Sequence, residues 1–345
     1  MIASAMAAEF GDVAGWTADA VEHLGEGYAI PAACRGSADP AGLAWLAEAC
    51  ELGAGTRLLD VGAGAGGPAA WAAERFGVRP ILLDPMPAAC RAAARLFGLP
   101  VVTADGGRIP LRGGSVDAAW CLGVLDTVQD KAAVLREIHR VLRPGAPLGL
   151  LAVVARDPLD AWDSQDFPAP EGNLFPTCRE LDELLAGAGF DVIERIDRPG
   201  GAPLSWTRRA ERAAALVAAE HGADRAHALA VRQSRSLTRL FATGQISMQL
   251  IHADGRPLGA PSAPATRGGA MNGPTGDNEF EIEFEAEVRA ELDLVASSDA
   301  EQVAALPVSE WLFDPADAGR EQLGLRNLLG AAEELETDDL RDETP

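Results

Sequence analysis

A glycine run flanked by carboxylates is the part of this sequence whose residue types and spacing can do chemistry. Leu58-Leu59-Asp60-Val61 reads as a buried strand, and Gly62-Ala63-Gly64-Ala65-Gly66-Gly67 follows it at once. Glycines at a strand-to-helix turn let a ligand lie against the backbone, and the helix start offers unpaired N–H groups. Gly62, Gly64 and Gly67 satisfy the GxGxxG spacing, with Asp84 about 20 residues on to bind a ribose, so a dinucleotide is one reading. Asp60 points to another. A carboxylate at the end of the strand repels a pyrophosphate but accepts hydrogen bonds from a cationic amine, such as that of S-adenosylmethionine (SAM). Moreover, the glycine strand begins only at Arg57, whereas dinucleotide folds commonly start at or near it.

Positioning these groups requires a particular order of elements. Arg57 to Val61 is expected as a strand, Pro68 to Phe76 as a helix and Pro80 to Asp84 as a second strand. A helix from Ala88 to Phe97 and a strand from Pro100 to Ala104 follow. Then come a strand from Val116 to Leu122, a helix from Lys131 to Leu142 and a strand from Pro147 to Val154. Alternating strands and helices with continuous apolar strands imply a doubly wound α/β fold, a parallel sheet covered on both faces. Thr177 and Glu180 have capping-box spacing before a helix that Gly187-Ala188-Gly189 closes ahead of a strand from Phe190 to Ile196. Ser205 and Asp224 read as N-caps of helices Trp206 to Glu220 and Arg225 to Phe241, and Gln245 to His252 as one further strand.

The motifs, taken in order, resemble those of the class I SAM-dependent methyltransferases, nearest to the small-molecule group that includes the quinone-biosynthesis C-methyltransferases. The family's first motif matches Asp60 to Gly66 and its second Leu82-Leu83-Asp84, while its third matches Ala104-Asp105-Gly106. Trp120-Cys121-Leu122-Gly123 matches the end of the fourth strand, and Arg140-Val141-Leu142-Arg143-Pro144-Gly145 the family's helix-to-strand turn. The resemblance covers residues 50 to 200. It implies a seven-stranded, mostly parallel Rossmann-like sheet ending in an antiparallel strand, with SAM as cofactor. It further implies that Asp84 holds the ribose hydroxyls and Asp105 the adenine amino group. Asp60, Gly62, Gly64, Gly106 and Leu122 complete the expected cofactor set, with Met86 packing on the adenine. Many relatives carry a histidine shortly after the fourth strand; Asp126-Thr127 stands there in this chain.

For proton transfer the candidates are His23, Tyr28, Asp126 and His252, with His221 and His227 behind them. Tyr28, the only tyrosine, lies with His23 in a leader from which relatives often supply aromatic residues to close the cofactor site. No carboxylate cluster has metal spacing, so no metal is expected. The five cysteines are widely spaced without a CxxC pair, which argues against disulfides and zinc.

The domain reading is a helical lid over 1–50, a SAM-binding core over 51–200, and a lid insertion with the seventh strand over 201–256. A linker over 257–278 and an acidic C-terminal appendage over 279–345 complete it. Pro274 to Pro345 carries 21 acidic and 4 basic residues, −17 of the chain's net −23. Clustered lysines and arginines are lacking, so nucleic acid is not an expected partner. With no membrane span or secretory signal apparent, a cytoplasmic location is the default. The expected function is methyl transfer to a small molecule, whether at oxygen, nitrogen or carbon. Two alternatives stand beside it: a protein acceptor recruited by the appendage, and SAM binding without methyl transfer. The favoured reading of the appendage is an added strand and helix that stabilise a homodimer or raise solubility.

Overall fold

A computed structural model describes residues 8–34, 39–158, 170–197 and 202–256. Expectations for the linker and the acidic appendage lie outside these residues. Ahead of the sheet come a π-helical turn Ala8–Asp12, α1 Val13–Leu24, a 3-10 turn Glu26–Tyr28, α2 Ala29–Ala33 and α3 Pro40–Ala49. Asp39 caps α3 by accepting a hydrogen bond from the Gly42 amide at 2.9 Å, and Pro40 supplies the pre-set first turn.

The alternating units then run β1 Arg57–Val61, α4 Gly67–Phe76, β2 Arg79–Asp84, α5 Pro87–Phe97 and β3 Val101–Thr103. They continue as β4 Ala118–Leu122, α6 Lys131–Val141, β5 Pro147–Ala155, α7 Cys178–Ala188 and β6 Phe190–Asp197. α8 Leu204–His221, α9 Arg225–Ala242 and β7 Ile246–Gly255 complete the described chain. The seven strands form one sheet in the order β3-β2-β1-β4-β5-β7-β6. β7 is antiparallel to both β5 and β6; the pairings among β1 to β5 are parallel. This is the doubly wound, mostly parallel sheet that the motif order implies.

Both faces of the sheet are buried because successive residues of each strand feed opposite cores. Leu59, Val61 and Cys121 pack with α6 and α7 residues such as Leu135, Ile138 and Leu185. Leu58, Trp120 and Leu151 pack on the other side with Leu43 and Leu46 of α3 and Ala72 of α4. Trp120 fits only because residue 149 is glycine: a Cβ there would lie 2.7 Å from the indole ring.

Several boundaries differ from the sequence expectation. Val116 makes an isolated bridge to Leu142, so the β4 ladder begins at Ala118. α8 starts at Leu204 with Pro203 in the cap position, not Ser205. Asp224 precedes α9, but its carboxylate meets His221 Nδ1 at 2.9 Å instead of capping the helix. The capping box at Thr177 and Glu180 is present as read. Helical structure in the leader begins at Ala8, which brings Phe10 and Ala14 into play. α8 packs on α1 and α2, with Trp16 stacked on His221 at 4.2 Å, while α9 packs on the turn Ala8–Asp12 and on β7.

Candidate functional site

Two adjoining chambers of about 410 Å³ each open at the carboxyl ends of the parallel strands, around the glycine turn. The sheet order places β4 beside β1, so successive connections leave in opposite directions there and a crevice remains. Phe10, Gly62, Gly64, Gly123 and Thr127 line both chambers.

The turn itself is built by its glycines. Gly62, Gly64 and Gly66 have φ of 73°, 55° and 85°, a region costly for residues with a Cβ. The amides of Gly62 and Ala63 donate to the Leu83 carbonyl at 2.7 and 3.1 Å. Asp84 accepts from Gly64 N at 2.9 Å and from Met86 N at 2.8 Å. These bonds fasten the end of β1 to the end of β2. They also occupy amides that would otherwise face a phosphate.

Asp60 is 2% exposed, and its Oδ2 has no hydrogen-bond partner. Burial, and then the neighbouring Asp84, push its carboxyl up to about 7. Asp84 is likewise raised by burial, against the opposing effect of the two amides it accepts from. An orphaned carboxylate beside a second carboxylate suits a cationic ligand and opposes an anionic one.

The first chamber contains Asp60, Leu122 and Asp126, and the second contains Asp84, Met86, Asp105 and Gly106. Gly62 and Gly64 stand between them. Asp105 is exposed, its Oδ1 holding the Gly107 amide at 2.7 Å. The eight expected cofactor residues thus lie around one continuous space.

Of the four proton-transfer candidates only Asp126 lines a chamber. His23 is exposed at the end of α1, and Tyr28 packs with Val21, Ala32 and Ala213. His252 pairs with Gly149 and meets Asp254 at 3.1 Å. Because β7 runs antiparallel to β5, its start at Ile246 and Met248 reaches the site, while His252 lies toward the opposite edge. His221 is taken by Asp224 and Trp16.

The sequence reading missed Phe10, Ala14 and Thr17 of the leader, Asn173 before α7, and Leu237, Thr238, Phe241 and Met248. Only Phe10 carried a signal, as an aromatic residue ahead of a helical stretch. The α9 residues follow helical spacing, which states that a face is covered and not by what. Cys121 ends β4 fully buried, and burial, with Asp60 and Asp126, raises its thiol. Packing is its role.

Residues 59–150 match the family described as the methyltransferase domain. The fold is a Rossmann-like methyltransferase fold. Over 166 residues the chain is 31% identical to the methyltransferase GfsG of Streptomyces halstedii, a stretch covering 44% of this chain and 59% of that protein. It is 30% identical over 155 residues to an O-methyltransferase of Pyrenophora dematioidea, covering 41% and 57%. The chain thus spans under two thirds of the length of these relatives. Among solved structures it resembles the [4+2]-cyclase SpnF, with 26% identity, a TM-score of 0.52, and coverage of 69% of this chain and 93% of that one.

The residues fit SAM. Asp60 offers an unpartnered acceptor to an ammonium group, and the two oxygens of Asp84 keep lone pairs for ribose hydroxyls beyond the amides they serve. Residues 59–150 therefore match a methyltransferase domain, and the groups around the glycine turn suit SAM as its cofactor. Among the described residues no group of three or more metal-ligating side chains occurs, and no helix is long and apolar enough to cross a membrane.

Proposed function

We propose that this protein transfers the methyl group of SAM to a small-molecule acceptor held in the first chamber, between the glycine turn and α9. The observation that carries this reading is the buried carboxylate of Asp60, with an unpartnered oxygen, lining a chamber that also reaches residues of α9 and β7. When bound, SAM supplies an electrophilic methyl on a sulfonium, and the protein has to align the acceptor and exclude water.

In this reading Asp60 orients the amino group, Asp84 the ribose and Asp105 the adenine. Met86 packs on the adenine. Gly64 leaves room for the ligand, Gly62 and Gly106 bring the backbone up to it, and Leu122 closes its flank. Asp126 is the proton acceptor for a hydroxyl substrate, being, among the described residues, the ionisable side chain lining the first chamber besides Asp60. Kinship with the quinone-biosynthesis C-methyltransferases rests on motif order, and a cytoplasmic site of action belongs to the same proposal.

Calorimetry with SAM, S-adenosylhomocysteine and NAD tests the cofactor: binding of the first two with NAD silent is expected, and binding of NAD alone overturns the reading. A second reading has a specific observation behind it. Likeness to a [4+2]-cyclase favours a reaction other than methyl transfer on the same scaffold. Incubation with methyl-labelled SAM and a converted substrate separates the two, since label enters the product only in methyl transfer.

A further inference from the structure

We infer that the acceptor is an uncharged, elongated and largely apolar molecule, and that Asp126 selects against anionic ones. The inference deepens the function proposed above and rests on it.

The first chamber has two unlike ends. At the glycine turn it is bounded by Asp60, Gly62 to Ala65 and Leu122, the cofactor end. At the other end its wall is Val153 of β5, Leu237 and Phe241 of α9, and Met248 of β7. These four belong to one apolar cluster with Phe175, Leu240 and Ile246, so the wall is the exposed side of a packed core. Its polar groups are the neutral Asn173, Ser234 and Thr238, the last two on one face of α9 at i and i+4.

Charge in this chamber has one sign. Among the described residues lining it, Asp60 and Asp126 are the ionisable side chains, and no lysine, arginine or histidine joins them. Asp126 is 5% exposed. Lys131, whose charge interacts with Asp126, lines neither chamber; its Nζ is held by the Val128 carbonyl at 2.7 Å. A carboxylate or phosphate on the acceptor would leave water to lie beside the Asp126 carboxylate, while Asp60 is occupied by the ammonium group of the cofactor and no basic side chain of the described lining receives the anion. That is discrimination by repulsion. Four apolar walls and three neutral hydrogen-bonding groups instead match a hydrocarbon or aromatic body with hydroxyl, carbonyl or ether oxygens. The cofactor end takes up part of the chamber of about 410 Å³, and the apolar wall of Val153, Leu237, Phe241 and Met248 beyond it fits an elongated body over a one-carbon or two-carbon acceptor.

The test uses the full-length protein saturated with S-adenosylhomocysteine and three probes: hexyl 4-hydroxybenzoate, methyl 4-hydroxybenzoate and 4-hydroxybenzoate. The expected affinity order is hexyl ester over methyl ester over acid, with at least about tenfold between the hexyl ester and the acid. Equal or tighter binding of the acid, or no binding of either ester, overturns the inference. Two variants separate its parts. Asp126→Asn should narrow the gap between methyl ester and acid severalfold; an unchanged gap removes Asp126 from the selection. Thr238→Arg adds a cation at an exposed position of the chamber wall and should raise affinity for the acid; no gain would show that charge does not govern entry. Failure of S-adenosylhomocysteine itself to bind is a different result, and it removes the cofactor reading underneath.

Discussion

Gly64 donates its backbone amide to Asp84 Oδ2 at 2.9 Å, so the glycine turn after β1 is held by the carboxylate that ends β2. The second oxygen of Asp84 holds Met86 N. One side chain therefore shapes the turn, orients the entry to α5 and keeps lone pairs for a ligand.

Asp84→Asn tests this double use. An amide side chain has one acceptor atom where the carboxylate has two, so either Gly64 N or Met86 N loses its partner. The expected cost is about 1–3 kcal/mol of stability, read as a shift of the urea midpoint. SAM affinity should fall by a larger factor than this destabilisation explains at a temperature where the variant remains folded. A loss of stability with SAM affinity intact would reject the ribose role.

Gly62→Ala and Gly64→Ala should separate folding from binding. Both positions have positive φ, which costs a residue with a Cβ about 1–2 kcal/mol. At Gly62 the new Cβ would also lie 2.3 Å from Val124 Cγ2, whereas at Gly64 it meets nothing within 4 Å. Gly62→Ala is therefore expected to lower Tm more than Gly64→Ala. In Gly64→Ala the methyl enters open space lining both chambers, so the larger relative effect falls on SAM binding. Equal Tm losses would contradict the close approach of Val124.

The raised carboxyl of Asp60 predicts opposite pH trends for stability and binding. A group whose pKa is about 7 in the folded chain against 3.8 ordinarily binds its proton more tightly when folded. Its contribution to stability is therefore full below about pH 4 and is lost as pH rises through about 7. A cationic amine needs the ionised form, so SAM affinity should rise with pH through the same window, by up to about tenfold per unit below pH 7. Calorimetry in buffers of different ionisation enthalpy should detect proton release on binding near pH 6. Asp60→Asn abolishes that release; its persistence would assign the titration to another group.

Phe10 lines both chambers from the turn ahead of α1 and is 37% exposed. Truncation at such a position changes stability little, within about 0.5 kcal/mol. Phe10→Ala is accordingly expected to leave Tm almost unaltered while weakening SAM binding by about tenfold, equivalent to about 1.4 kcal/mol of lost contact. A drop in Tm with binding unchanged would make Phe10 a structural residue of the leader.

What could be read without coordinates follows from local physics. Apolar runs of strand length, glycines at the first turn, and acids at or just past the ends of β1, β2 and β3 are written in consecutive residues, so the α/β order and the set Asp60, Asp84 and Asp105 were legible. The capping box at Thr177 and Glu180 is equally local, two residues three positions apart closing two bonds. The proton-transfer candidates show the limit. His252 looked as eligible as Asp126, yet the antiparallel pairing of β7 with β5 sets Ile246 opposite Ala155 and carries His252 away to Gly149. Tyr28 was the leader's conspicuous aromatic, and packing turned it toward Ala213 of α8 while Phe10 took the site.

The sequence by itself determined the strand and helix order, the glycine turn and the identity of the acids around it, because backbone conformation and hydrogen-bond chemistry act over a few neighbouring residues. Tertiary structure alone decided that Asp60 loses its water and keeps an unpartnered oxygen, and that Phe10, Asn173, Val153 and Phe241 meet across one chamber. Those facts depend on which elements pack together. Burial and contact between residues far apart in the chain are set by the whole fold, and no local spacing encodes them.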